Sequence, residues 1–176
     1  TTAGKWNGAM SFDGADDFIN LGNNPSLDCT DVFTLAAWIK TDDDSRMHIV
    51  GKHYTEYELE ICMHYEGGTF FGYYGDGISY KAMAFNYLGN YADNNFHFIT
   101  YVCNKILGDG ELYIDGNSVG IVSDSALAGA GNHNTYIGSR GTGDFFNGSI
   151  DEVRIYNRVL SPAEIHQSYL SNLRKF

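Results

Sequence analysis

Proline is nearly missing from this sequence, at 2 of 176 residues, and cysteine is scarce at 3. Cys29, Cys62 and Cys103 show no CxxC spacing, which argues against a zinc site or a redox dithiol. The expected role of all three is that of small buried hydrophobes, the alternative being one disulfide with a leftover thiol. Positive charge is also in short supply. Eleven Lys and Arg stand against 22 Asp and Glu, for a net charge of -11, so nucleic acid and anionic lipid are poor partners. No apolar run reaches 18 residues, and no segment reads as a membrane span. No segment of the given residues reads as a signal peptide, linker, low-complexity stretch or internal repeat. The opening Thr1-Thr2-Ala3-Gly4-Lys5 without methionine suits a segment excised from a larger protein. The whole of 1–176 is therefore expected to be one domain.

Aromatics and glycine are abundant instead, at 15% of residues and 21 residues. With so little proline, this mix suits many short strands joined by glycine turns. Strand patterns recur at Ala9–Phe12, Phe18–Leu21, Phe33–Ile39, Glu56–Met63, Phe70–Tyr74, Ile78–Phe85, Phe96–Val102, Glu111–Ile114, Thr135–Gly138 and Ser149–Tyr156. Phe33–Ile39 is apolar on both faces, as a central strand covered on each side would be. Gly75-Asp76-Gly77 predicts a hairpin turn. Ser161-Pro162-Ala163-Glu164 reads as a capping box on a proline-initiated helix running to about Leu170, with Leu160, Ile165 and Tyr169 covering an edge of the sandwich. Strands at this spacing predict an all-β sandwich or barrel.

Three segments carry a family likeness: Gly8 to Phe18 (GAMSFDGADDF), Phe33 to Lys40 (FTLAAWIK), and Phe146 to Ser161 (FNGSIDEVRIYNRVLS). Together with Leu112–Gly116 and Tyr136–Ser139, they resemble the concanavalin A-like, laminin-G-type domains. The resemblance implies an antiparallel two-sheet jelly-roll sandwich with one short C-terminal helix. It also implies a secreted or cell-surface setting within a larger protein, and a binding or adhesion role without catalysis. Phe96-His97-Phe98 stands where such domains often have a Trp-His-His type sequence, and reads as an aromatic swap in the core.

The resemblance further implies a structural calcium ion where the Phe-Asp-Gly turn meets the Ile-Asp-Glu strand, on Asp13, Asp17 and Asp151. Carboxylates at a tight glycine turn supply the hard oxygens that Ca²⁺ prefers. In an extended chain Asp16 and Asp17 point to opposite faces, so Asp17 is the expected ligand. Asp42-Asp43-Asp44 reads as a solvated loop tip.

For a ligand, the aromatic cluster His53, Tyr54, Tyr57, Tyr65, Phe70, Phe71, Tyr73, Tyr74, Tyr80 and Tyr87 offers flat apolar faces with polar edges, as carbohydrate or a protein surface requires. Strand parity assigns half of it to the core. Tyr74 and Tyr80, flanking the hairpin tip, are the expected exposed pair, with Tyr54 and His53 beside them. Two alternatives remain. A structural unit of a surface layer or filament would self-associate through an unpaired edge strand. A glycoside hydrolase would use Glu56, Glu58 and Glu60, which alternation sets on one strand face at about 6.6 Å steps. The β-glucanases of this superfamily, however, carry Asp in the middle position. Asn147-Gly148-Ser149 matches a glycosylation acceptor but reads as a turn.

Overall fold

The alternating patterns fold into two antiparallel sheets of six strands each. The structure is a computed structural model; it describes residues 8–53, 59–76, 79–85, 89–126 and 132–173, and no side chain at 53, 59–62, 172 or 173. In chain order the strands are β1 (Met10–Asp13), β2 (Ile19–Gly22), β3 (Val32–Lys40), β4 (Met47–His53), β5 (Leu59–Glu66), β6 (Thr69–Gly75), β7 (Tyr80–Phe85), β8 (His97–Asn104), β9 (Asp109–Ile114), β10 (Asn117–Ser123), β11 (Thr135–Ile137) and β12 (Asn147–Tyr156). Helix α1 (Pro162–Leu173) follows. The first sheet runs β1-β12-β3-β8-β9-β10 and the second β2-β11-β4-β5-β6-β7, the expected jelly-roll sandwich. No helix among the described residues is long and apolar enough to cross a membrane.

β3 shows why its sequence is apolar on both faces. Phe33, Leu35, Ala37 and Ile39 enter the core between the sheets. Ala36 and Trp38 point the other way, into a second cluster with Phe98, Val102, Tyr113, Leu160 and Ile165. The helix thus lies over the outer face of the first sheet rather than along an edge, because Trp38 and Phe98 present an apolar surface there that needs a cover. Full burial of Ile165 and near-full burial of Leu160 contribute roughly 1.5–3 kcal/mol each.

β12 joins the two ends of the chain. It pairs with β1 on one side and β3 on the other, setting Asp13 opposite Asn147 and Met10 opposite Ile150. Asn147, Gly148 and Ser149 are therefore the first residues of a strand, not a turn. Cys29 and Cys103 are buried, and desolvation pushes the Cys103 thiol up to about 12. The side chain of Cys62 lies outside the described set.

Candidate ligand face and acidic corner

The Phe-Asp-Gly turn builds an acidic corner. Gly14 adopts φ 77° and donates its N–H to the Phe146 carbonyl at 3.0 Å, so the chain leaves β1 in a tight bend. Within that bend Asp13 Oδ1 accepts the Ala15 N–H at 2.9 Å, and Asp17 Oδ2 accepts the Asp13 N–H at 3.1 Å. The Ala15 bond, chiefly, holds the Asp13 carboxyl below the usual carboxylate range. Carboxylate oxygens of Asp13, Asp16 and Asp17 lie within 4.8 Å of one another. The bend overrides strand parity, and Asp16 joins the group that extended geometry would have denied it. An all-oxygen donor set of this kind fits the chemistry of Ca²⁺, which takes six to eight oxygen ligands.

Asp151 does not reach this corner. The register places Asn147 beside Asp13, and Asp151 is four positions further along β12, roughly 13 Å at the rise of a strand. Its Oδ1 instead accepts the Glu152 N–H at 2.9 Å, where β12 bulges and Glu152 takes φ 51°. Asp43, by contrast, is more than a solvated tip. It accepts the Ser45 N–H at 2.8 Å and the Asn147 side-chain amide at 3.1 Å, and the Ser45 bond leads in lowering its pKa.

Strand parity divides the aromatic cluster. Tyr65, Phe70 and Tyr74 are buried between the sheets. Tyr74 is therefore a core residue and not an exposed one: its hydroxyl donates to the Ser125 carbonyl at 2.9 Å, and desolvation raises its pKa to about 12. Gly72 shares its face, so β6 turns Phe71 and Tyr73 outward. These half-buried rings and that of Tyr80 form the outer face of the second sheet. Tyr73 lies 5.8 Å from Tyr80. The buried ring of His64 lies 4.6 Å from Phe71 and 4.9 Å from Tyr73, and continues to His48 at 5.1 Å. His48, His64 and Phe71 are register partners across β4, β5 and β6, so the rings form a ladder across three strands. Tyr54, Tyr57, Tyr87, Glu56 and Glu58 lie outside the described residues, as do the side chains of His53 and Glu60.

At the β4 end of the ladder stands a charged group that no sequence pattern announced. Asp144 Oδ2 is 3.1 Å from Arg46 Nε, 3.5 Å from Arg140 Nε and 3.5 Å from His48 Nε2. Asp144 carries φ 51°, a left-handed conformation that aspartate adopts more readily than most side chains, and its carbonyl accepts the His48 N–H at 2.9 Å. The loop 138–146 that supplies Arg140 and Asp144 is held by Ile49, Gly138 and Gly143 main-chain bonds and by the Ser139 hydroxyl.

A family model described as the concanavalin A-like lectin/glucanases superfamily, of laminin G type, matches residues 13–166. No curated protein sequence matches the chain. The binding domain of Paraclostridial mosquitocidal protein 1 superposes with TM-score 0.69 at 18% identity, over 92% of this chain and 42% of that one. A structure of botulinum neurotoxin type C, whose cell entry is dependent upon interaction with two ganglioside molecules, gives 0.69 at 13% identity over 92% and 42%. The native heptameric SAP-like pentraxin from Limulus polyphemus gives 0.66 at 13%, over 90% and 80%. The chain thus spans 42% of each toxin structure, and at these identities the likeness is one of fold. With both sheets, the capped helix and a family match over nearly the whole length in agreement, the chain belongs to the concanavalin A-like lectin/glucanases superfamily.

Proposed function

We propose that this chain is a non-catalytic glycan-binding module of a larger extracellular protein, holding sugar on the outer aromatic face of the second sheet, with a structural calcium ion at the Asp13–Asp16–Asp17 corner. The observation that carries the reading is the outward set Phe71, Tyr73 and Tyr80, half-buried rings on two neighbouring strands. Such rings offer a flat apolar surface to the C–H face of a sugar, and tyrosine adds a hydroxyl at the rim. Sites of this kind combine apolar walls with a few fixed polar groups, and the face has both, with His64 and the Arg46–Asp144 group adjoining it. Membership of a lectin and glucanase superfamily supports the reading, as do the binding-domain neighbours, one of them a toxin dependent on gangliosides.

Titration calorimetry with glycans found on an array tests it. Tyr73→Ala should weaken binding by about tenfold, as expected for loss of an aromatic contact worth about 1.5 kcal/mol. Affinity unchanged by Tyr73→Ala and Phe71→Ala together would move the site elsewhere.

A further inference from the structure

We infer that the Arg46–Arg140–Asp144 cradle is a subsite for the carboxylate of an acidic sugar, the adjoining rings of the same glycan lying on Phe71 and Tyr73. This inference rests on the glycan-binding reading above and specifies the class of glycan. Two guanidinium groups converge on one carboxylate, from the residue preceding β4 and from the 138–146 loop. Arg46 meets Asp144 through Nε, one of five N–H donors in a planar fork, and its side chain is 40% exposed. A sugar carboxylate matches that fork geometrically, because guanidinium–carboxylate pairs form two parallel hydrogen bonds.

The surroundings are those of a prepared site. Asp144 sits on a loop whose main chain is bonded at both ends and in the middle, so the carboxylate that Arg46 and Arg140 meet is in place before a ligand arrives. The distance to the aromatic face is set by the sheet. His48, beside Asp144, is two strands from Phe71 in register, about 10 Å at strand spacing. An oligosaccharide can therefore reach both the cradle and the rings. Glu66, 3.9 Å from His64, is exposed at the rim and disfavours a second acidic group there.

An array of matched acidic and neutral glycans, sialyllactose against lactose and uronic-acid oligomers against their carboxyl-reduced forms, tests the assignment. Acidic members should bind at least about tenfold tighter than their neutral partners, as a charge-assisted pair allows. That preference should fade at high salt. Arg46→Gln and Arg140→Gln should each bring the acidic members down to the affinity of their neutral partners, and Tyr73→Ala should weaken both classes. Arg46→Lys, which keeps the charge but loses the fork, should restore only part of it. If Arg140→Gln disturbs the loop, Arg46→Gln on its exposed side chain still decides the matter. Equal binding of acidic and neutral members, or a preference that survives Arg46→Gln, overturns the acidic-sugar assignment and leaves the glycan-binding reading standing. Binding of no glycan on the array overturns both.

Discussion

The Tyr101 ring lies across Gly72 of the facing sheet, in space that a side chain there would have to occupy. A Cβ at Gly72 would sit 2.6 Å from Tyr101 Cε1 and closer still to Cε2 and Cζ. Gly110 opens the neighbouring space, where a Cβ would stand 2.9 Å from the same ring. Tyr101 is fully buried and meets Phe33 and Phe85 edge-on at 5.5 and 6.0 Å. Gly72→Ala must therefore displace a ring that has no room to move. Overpacking of this kind costs about 1–3 kcal/mol. Urea unfolding of the variant should show at least that loss, and a stability equal to the parent's would mean that the ring yields at no expense.

His97 links two loops of the first sheet through two aspartates. Its Nδ1 lies 2.9 Å from Asp115 Oδ2 and its Nε2 lies 3.2 Å from Asp93 Oδ1. Asp115 Oδ1 also accepts the Phe98 N–H, fixing the β9–β10 turn against β8. The Asp115 hydrogen bond, chiefly, raises the His97 pKa above its ordinary value. A group raised on folding contributes stability that is complete below its unfolded pKa, about 6.5, and is lost as pH rises through the folded value. Unfolding free energy measured from pH 5 to pH 9 should accordingly fall across that window. In His97→Gln the slope should flatten, and an unaltered slope would assign it to another group.

The sequence made the β3 core, the capping box and the sandwich legible because each is a local pattern of side chains. Phe33–Ile39 carried its own evidence of being covered on both faces. What it left unread depended on register and loops. Alternation told that half the aromatics face inward, yet only the pairing of β6 with β5 and β7 decides that Tyr73 is outside and Tyr74 inside. Likewise a shift of four residues in β12 puts Asn147 rather than Asp151 beside Asp13. Phe96-His97-Phe98 read as core, but only Phe98 is fully buried; Phe96 packs partly against the same cluster and His97 turns to its aspartates. The Arg46–Arg140–Asp144 group lay beyond sequence reasoning altogether. Gly138-Ser139-Arg140-Gly141 has the composition of an ordinary turn, and nothing in it indicates which strand its loop folds onto.

The acidic corner gives a prediction that separates Asp17 from Asp151. A ligand bound only to the folded state stabilises it by RT ln(1 + [L]/Kd), about 2.7 kcal/mol when the ion is at 100 times its Kd. Melting temperature should therefore rise with added calcium and fall with chelator. Asp13→Asn or Asp17→Asn should abolish the response, whereas Asp151→Asn, roughly 13 Å from the corner at strand rise, should retain it. A melt indifferent to calcium and chelator in the parent protein removes the ion from the proposal.

Helix α1 shields Trp38, and its attachment should be titratable in acid. Ser161 and Glu164 form a reciprocal cap: the Glu164 N–H donates to Ser161 Oγ at 3.3 Å, and Glu164 Oε2 accepts the Ser161 N–H at 2.8 Å. Arg158, 2.8 Å from the other Glu164 oxygen, is the leading cause that lowers the Glu164 pKa to about 2. Thr34 of β3 fastens the segment before the helix, donating to the Arg158 carbonyl at 2.9 Å and accepting the Leu160 N–H at 3.1 Å. A lowered carboxyl pKa contributes stability that is present above the unfolded value and lost as pH falls through the folded one, here between about 4.5 and about 2. Tyr169 stacks on Trp38 at 5.7 Å, so loosening of the helix alters the environment of that indole. In a Trp6→Phe background, tryptophan emission should shift to the red over this acid range. Glu164→Gln should remove the pH dependence of the shift, and Ser161→Ala should lower stability by about 1 kcal/mol at neutral pH through the lost cap. An emission maximum constant from pH 5 to pH 2, with the sheets still folded by circular dichroism, would show that packing on Trp38 holds the helix without its cap.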